Sequence, residues 1–373
     1  MTHRLALAST ALAGAAATAV LGAVPAAQAG THGSFIGGFH KLSTIASTVP
    51  ANGDVNPYGT ALVQKSAGML VKGNVLVSNF NNAKNLQGTG TTIVQVSPKG
   101  TVTQFARITA AGLPGSCPGG VGLTTALEIL RGGWVVVGSL PTKDGTAATS
   151  GAGCLIVLDN KGRVRETFAG HGINGPWDMA LSSRGPFAEL FVSNVLDGTK
   201  AAAGKVVNKG TILRLVLMVG GPRPPRLINT TTIAAGFPQR TDPAAMVLGV
   251  TGLDLAPNGT LYAANTLSSA IAAIPGATWR SGSAGTGKMI TSGGALNFPL
   301  GLAIAPNGDV LTVNGGNGLI VETTPSGKQV ATKMLDSSGS PPGAGALFGL
   351  VLAPHNAGVY YVDDAVNTLR LLH

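Results

Sequence analysis

The 373-residue sequence predicts an all-β fold: a six-bladed β-propeller of four-stranded antiparallel blades, the last blade closed by an N-terminal strand. Three observations predict it. The stretch GLAIAPNGDVLTVN at 301–314 repeats GLDLAPNGTLYAAN at 252–265, with seven of fourteen positions identical. Hydrophobic residues make up 44% of the chain beside 55 Gly and 22 Pro, as many short apolar strands joined by turns require. Six units of the same pattern follow one another, and the sixth stops one strand short. A β-sandwich or a pair of β-domains is the alternative, but sandwiches do not normally repeat a motif with this agreement.

The elements follow in order. Residues 1–29 combine a basic start (MTHR), an apolar run and PAAQA, with Ala27 and Ala29 at the small-residue positions. They read as a secretory signal peptide cut after Ala29, leaving 30–373 as the propeller. A membrane anchor is the competing reading. HKLSTIASTVP at 40–50 has strand composition and supplies the strand that the sixth unit lacks, closing the ring so that no sheet edge is left open.

The first unit comprises 59–79 and 91–106, the second 122–138 and 154–169, and the third 178–194 and 210–217. The repeated pair supplies the fourth and fifth, and 349–363 with 367–373 the sixth. In each, alternating aliphatics flank a turn such as Asn307-Gly308 or Pro325-Ser326-Gly327, the signature of successive hairpins. Because strands alternate in direction, the long connections 80–90, 139–153 and 195–209, the inter-blade loop 107–120 and a further inter-blade loop around 230–248 fall on one face. That face is the expected ligand face.

The sequence PLGLAIAPNGDVLTVNGGNGLIVETTPSGKQV resembles an NHL-type repeat. More broadly it is similar to blades of the propeller superfamily that includes the gluconolactonase/senescence-marker lactonases and the streptogramin lyases. The resemblance implies the fold and leaves the chemistry open. In the lactonases the metal-binding carboxylates and amide directly precede the glycine of each inner strand. Here those places hold Tyr58, Val121, Trp177, Thr251, Leu300 and Phe348, so that metal site is not expected.

Two sets of polar residues are site candidates. The second strands end at Asn79, Gly138, Asn194, Asn265, Asn314 and Asp363. Their side chains form either a collar for a polar ligand or a cation such as calcium, or caps for the backbone where each strand ends. The inner strands begin with Gly59, Gly122, Asp178, Gly252, Gly301 and Gly349, so one blade replaces glycine with a carboxylate beside Trp177. Asp178 with His171, seven residues upstream, is the candidate catalytic pair; a backbone-bonded Asp178 with Trp177 packed between blades is the structural reading. Glu128 and Glu322 fall within strands as ordinary solvent-facing positions, and His355 lies in a turn of the opposite face. No known hydrolase, zinc-protease or phosphate-loop motif is present.

Cys117 and Cys154 are expected to form a disulfide, as befits an exported protein. The net charge of +10 comes without a run of Lys or Arg, which argues against nucleic acid and leaves an anionic cell-surface polymer as a partner. The sequence therefore predicts a secreted, monomeric binding or scaffold module for a small-molecule, polysaccharide or protein ligand. The alternative is a metal-dependent propeller hydrolase or lyase using Asp178 and His171.

Overall fold

The computed structural model describes residues 33–373. The signal-peptide reading of 1–29 lies outside the described residues. Among those described, no helix is long and apolar enough to cross a membrane.

Six antiparallel sheets follow one another as blades. In blade one, Val55–Leu62 is the inner strand, followed outward by Val75–Asn81, Thr92–Val96 and Val102–Arg107. Blades two, four and five repeat this order from inner strands Leu123–Leu130, Val250–Leu255 and Pro299–Ile304. In blade six, Leu347–Leu352, Val359–Asp363 and Thr368–Leu372 are completed by Leu42–Ser47, which pairs antiparallel with the C-terminal strand. The ring closes as the truncated sixth unit requires.

Blade three departs from the sequence expectation. The stretch around 230–248 is not an inter-blade loop: Arg226–Asp242 is a 17-residue outer strand, and Met246–Leu248 adds a fifth strand to the sheet. Its run of Thr and Ile suits a strand, but four irregularities in its pairing obscure the alternation.

Blade two also shifts. Between Leu123, paired with Ser139, and Leu127, paired with Val137, its inner strand holds an extra residue relative to its neighbours, where Pro176 pairs with Asn194 and Met179 with Val192. The second-strand terminal position in blade two is therefore Ser139, not Gly138. The same extra residue puts Ala126, not Gly122, in the slot that Asp178 holds in the next blade, and the Thr125 hydroxyl donates to the Trp177 carbonyl.

The inner-strand glycines answer to close approach around the axis. A methyl on Gly252 would collide with the Leu300 carbonyl, on Gly301 with that of Phe348, and on Gly349 with that of Tyr58. Adjacent inner strands thus lie too near for a side chain, and hydroxyls from second strands tie each blade to the inner strand of the next: Ser78 donates to the Thr124 carbonyl at 2.7 Å and Ser193 to that of Thr251 at 2.8 Å. Between blades the core is aliphatic and aromatic, with Phe80, Phe191 and Phe237 fully buried. The disulfide between Cys117 and Cys154 is present, tying the loop before blade two to that blade's third strand.

Candidate functional site

Four of the six second-strand termini serve the loops beside them. The Asn79 amide donates to the Thr48 carbonyl at 3.1 Å, and that of Asn314 to the Ala295 carbonyl at 2.7 Å. Asn194 accepts from the Asn174 N–H at 3.0 Å, and Ser139 donates to Gly120 and accepts from the Gly122 N–H. In each case the partner lies in the loop that enters the same blade. Asp363 is fully buried and takes the Arg370 guanidinium at 2.7 Å. None of Asn79, Asn194, Asn265, Asn314 or Asp363 lines the cavity at the long-loop mouth.

That cavity has a volume of about 440 Å³, and its floor is Tyr58, Trp177, Leu300 and Phe348. Tyr58, Leu300 and Phe348 directly precede the inner-strand glycines Gly59, Gly301 and Gly349, and Trp177 directly precedes Asp178. Tyr58 stacks on Phe348 with ring centroids 4.0 Å apart, on Phe80 at 4.5 Å, and meets Trp177 at 5.5 Å. Offset stacking of this kind gives a rigid apolar plug over the axis. Such a donor set does not fit a resident divalent cation, and among the described residues no three Cys, His, Asp or Glu side chains gather as a metal-ligand set.

Polar groups ring the plug. Arg240 and Asp242, from the unexpected long strand of blade three, pair at 2.9 Å. Gln87 of blade one donates to the Ala244 carbonyl of blade three at 2.8 Å, joining two loops beside the mouth. Asp364 of blade six lies at the rim with no ion-pair partner among the described residues. Burial, then the neighbouring Asp363, pushes its carboxyl up to about 7. Burial above all, and then Asp364, lifts the Tyr58 phenol far above its ordinary range, keeping it neutral. Sequence reading selected Asp363 where its neighbour faces the cavity; strand alternation around a chain end decided between them.

Beneath the plug a second cavity, about 240 Å³, runs along the axis between the inner strands. It holds Asp178, together with Glu128 and Asp254. Asp178 accepts from the Leu253 N–H of blade four at 3.0 Å, and Asp254 from the Ile304 N–H of blade five at 2.7 Å. Each carboxylate thereby braces the next blade. Burial raises all three: Glu128 to about 8, with Asp254 and Asp178 adding to the effect, Asp178 to about 7 and Asp254 to about 6. Glu128 thus faces the channel rather than bulk solvent, against the sequence expectation.

His171 is exposed and lines a different groove, along Leu227–Thr232 of the outer strand of blade three. The structure does not bring it to Asp178. Glu322 is not solvent-facing either: it is fully buried and accepts from Ser34, Phe35, Ile36 and Asn307.

The chain matches no protein-family model and no curated protein. Among solved structures it is similar to a gluconolactonase from Xanthomonas campestris, at 14% identity and a TM-score of 0.53 over 89% of this chain and 88% of that one. It is also similar to the PQQ-bound aldose sugar dehydrogenase of Streptomyces coelicolor, at 15% identity and 0.52, covering 89% and 97%. Virginiamycin B lyase from Staphylococcus aureus aligns at 11% identity and 0.50, covering 89% and 98%. The class is therefore plain: a six-bladed β-propeller with the architecture of gluconolactonase-like and related propellers.

Proposed function

We propose that this is an exported propeller that binds a small ligand with an apolar ring in the long-loop cavity. The supporting observation is the cavity itself: an aromatic and aliphatic floor of Tyr58, Trp177, Leu300 and Phe348, with Asp364 and the Arg240–Asp242 pair at its rim. Concave apolar sites with a few placed polar groups are the usual form of small-molecule pockets. Asp364 supplies a group that changes charge near neutrality. The Cys117–Cys154 bridge suits an oxidising compartment.

The neutral fluorescent probe N-phenylnaphthylamine tests this reading. Saturable one-to-one binding is expected, and Ala344→Phe, at the exposed lip of the cavity, is expected to weaken it by about tenfold or more with unchanged thermal stability. Unsaturable binding, or equal affinity in the variant, overturns it.

A second reading makes the same cavity an active site, since solved propellers of this architecture include a gluconolactonase, a sugar dehydrogenase and a lyase. The group that favours it is Asp364, whose raised pKa suits a general acid or base at neutral pH. Asp178 and His171, which line separate cavities, do not form its catalytic pair. Hydrolysis of glucono-δ-lactone by the purified protein, with a pH dependence centred near 7 that Asp364→Asn abolishes, is the expected signature. Rates equal to the uncatalysed reaction dismiss it.

A further inference from the structure

The turns that join first to second and third to fourth strands emerge opposite the ligand cavity, and their charge is one-sided. They carry cations that include Lys99, Arg131, Lys161, Arg163, Arg223 and Arg280. Against these stand only Asp159 and Asp309 within the turns, and Asp309 is buried. The long-loop face instead intersperses its lysines with Asp54, Asp144, Asp197, Asp336 and Asp364. A net positive field thus concentrates on one face of the disc.

The densest part of that face is concave. A groove of about 270 Å³ runs between blades two and three, walled by Trp134, Lys161, Arg163 and Arg165 on one side and by Gly221 and Pro222 on the other. Its single carboxylate, Asp159, is occupied: it accepts from the Lys161 N–H at 2.9 Å, the Arg163 N–H at 3.0 Å and the Arg165 Nε–H at 2.9 Å. The side chains of Lys161 and Arg163 are exposed and have no ion-pair partner among the described residues. Trp134 is only 7% exposed, so it offers the groove an apolar wall rather than a platform for a flat base.

We propose that this groove binds an anionic glycan, a chain of sugar rings carrying carboxylate or phosphate groups. Arg and Lys heads meet the anionic groups, with the planar guanidinium of Arg163 suited to two-point contact with either oxyanion. The narrow apolar wall accepts a sugar ring edge. A concave slot of this size admits a polymer strand and not a flat membrane surface. This inference is independent of the ligand cavity, which lies on the other face.

The test measures binding of the full protein to polygalacturonate and, separately, to a phosphomannan, with neutral dextran, duplex DNA and phosphatidylglycerol vesicles as comparisons. Binding to one or both anionic glycans, weakening as salt rises, is expected, and whichever binds identifies the anionic group. The double variant Lys161→Glu with Arg163→Glu is expected to bind about tenfold or more weakly, as removal and reversal of two polyanion-facing charges demands. Lys143→Glu with Lys205→Glu, exposed on the long-loop face, leaves binding unchanged. Equal loss in both variants, no loss in the first, or DNA or vesicles bound as tightly as either glycan overturns the proposal. N-phenylnaphthylamine binding at the cavity stays unaltered in the groove variant, which separates failure here from failure of the cavity reading.

Discussion

Glu322→Ala is expected to destabilise the propeller by on the order of 4 kcal/mol, measured by urea unfolding. The Glu322 carboxylate receives the Ser34 hydroxyl at 2.8 Å, the Phe35 N–H at 2.6 Å, the Ile36 N–H at 2.8 Å and the Asn307 amide at 2.9 Å. It therefore anchors the segment that leads into the ring-closing strand Leu42–Ser47. Truncation leaves these donors facing a cavity with no acceptor, and a buried donor without a partner costs more than a made bond contributes. Limited proteolysis between 33 and 40 is expected to accelerate in the same variant, because the leading segment loses its anchor. A loss below about 1 kcal/mol with unchanged proteolysis contradicts this account.

Burial would push the Glu322 carboxyl up, but the bonds from Ile36, Phe35, Asn307 and Ser34 outweigh it and hold the group below its ordinary range. A carboxylate depressed in the folded state stabilises above its unfolded pKa, and that contribution is lost as pH falls through the folded one. Glu322 thus sets part of the acid limit of the fold.

Stability is expected to fall on the alkaline side as well, by on the order of 3 kcal/mol between about pH 5 and about pH 9. Glu128, Asp178 and Asp254 share the axial channel and have pKa values raised to about 8, 7 and 6. A carboxyl raised in the folded state binds its proton more tightly there than in the unfolded chain. Its stabilising contribution is complete below the unfolded pKa and disappears as pH rises through the folded values, here from 6 to 8. Glu128→Gln removes the most strongly raised group and keeps an acceptor for the Ile129 N–H. The variant is expected to melt higher than the parent at about pH 9 and to lose much of the alkaline slope. A parent melting temperature flat over this range, or a variant with the parent's slope, refutes the channel's role.

Much of the architecture was legible in the order of residues. The duplicated GLxxAPNG stretch marks a hairpin in both copies, and the missing fourth strand of the last unit pointed to residues 40–50, within which the closing strand Leu42–Ser47 lies. Cys117 and Cys154 were legible too, since the loop before blade two and the start of that blade's third strand fall on one face. Blade three was not, because pairing across bulges breaks the alternation that identifies a strand, and the stretch around 230–248 read as a loop. Blade two misled for a related reason: an extra residue in its inner strand moved the terminal position from Gly138 to Ser139.

The site was less legible than the scaffold. The recurring asparagines advertised themselves through repetition, yet in three blades the repeated side chain holds the incoming loop. The cavity is built instead from what differs between blades, Tyr58, Trp177, Phe348 and Asp364, and these share no sequence neighbourhood.

By itself the sequence determined the number of blades, their strand order and the closure of the ring, because periodic alternation and turn chemistry are local properties of the chain. Only the tertiary structure decided which polar groups are spent inside the fold and which face a cavity. Glu128 and Glu322 both sit in strands, yet one looks into the channel and the other grips the N-terminal segment. It also gathered scattered single cations into one face, since turns far apart in the chain become neighbours once the sheets are arranged about an axis.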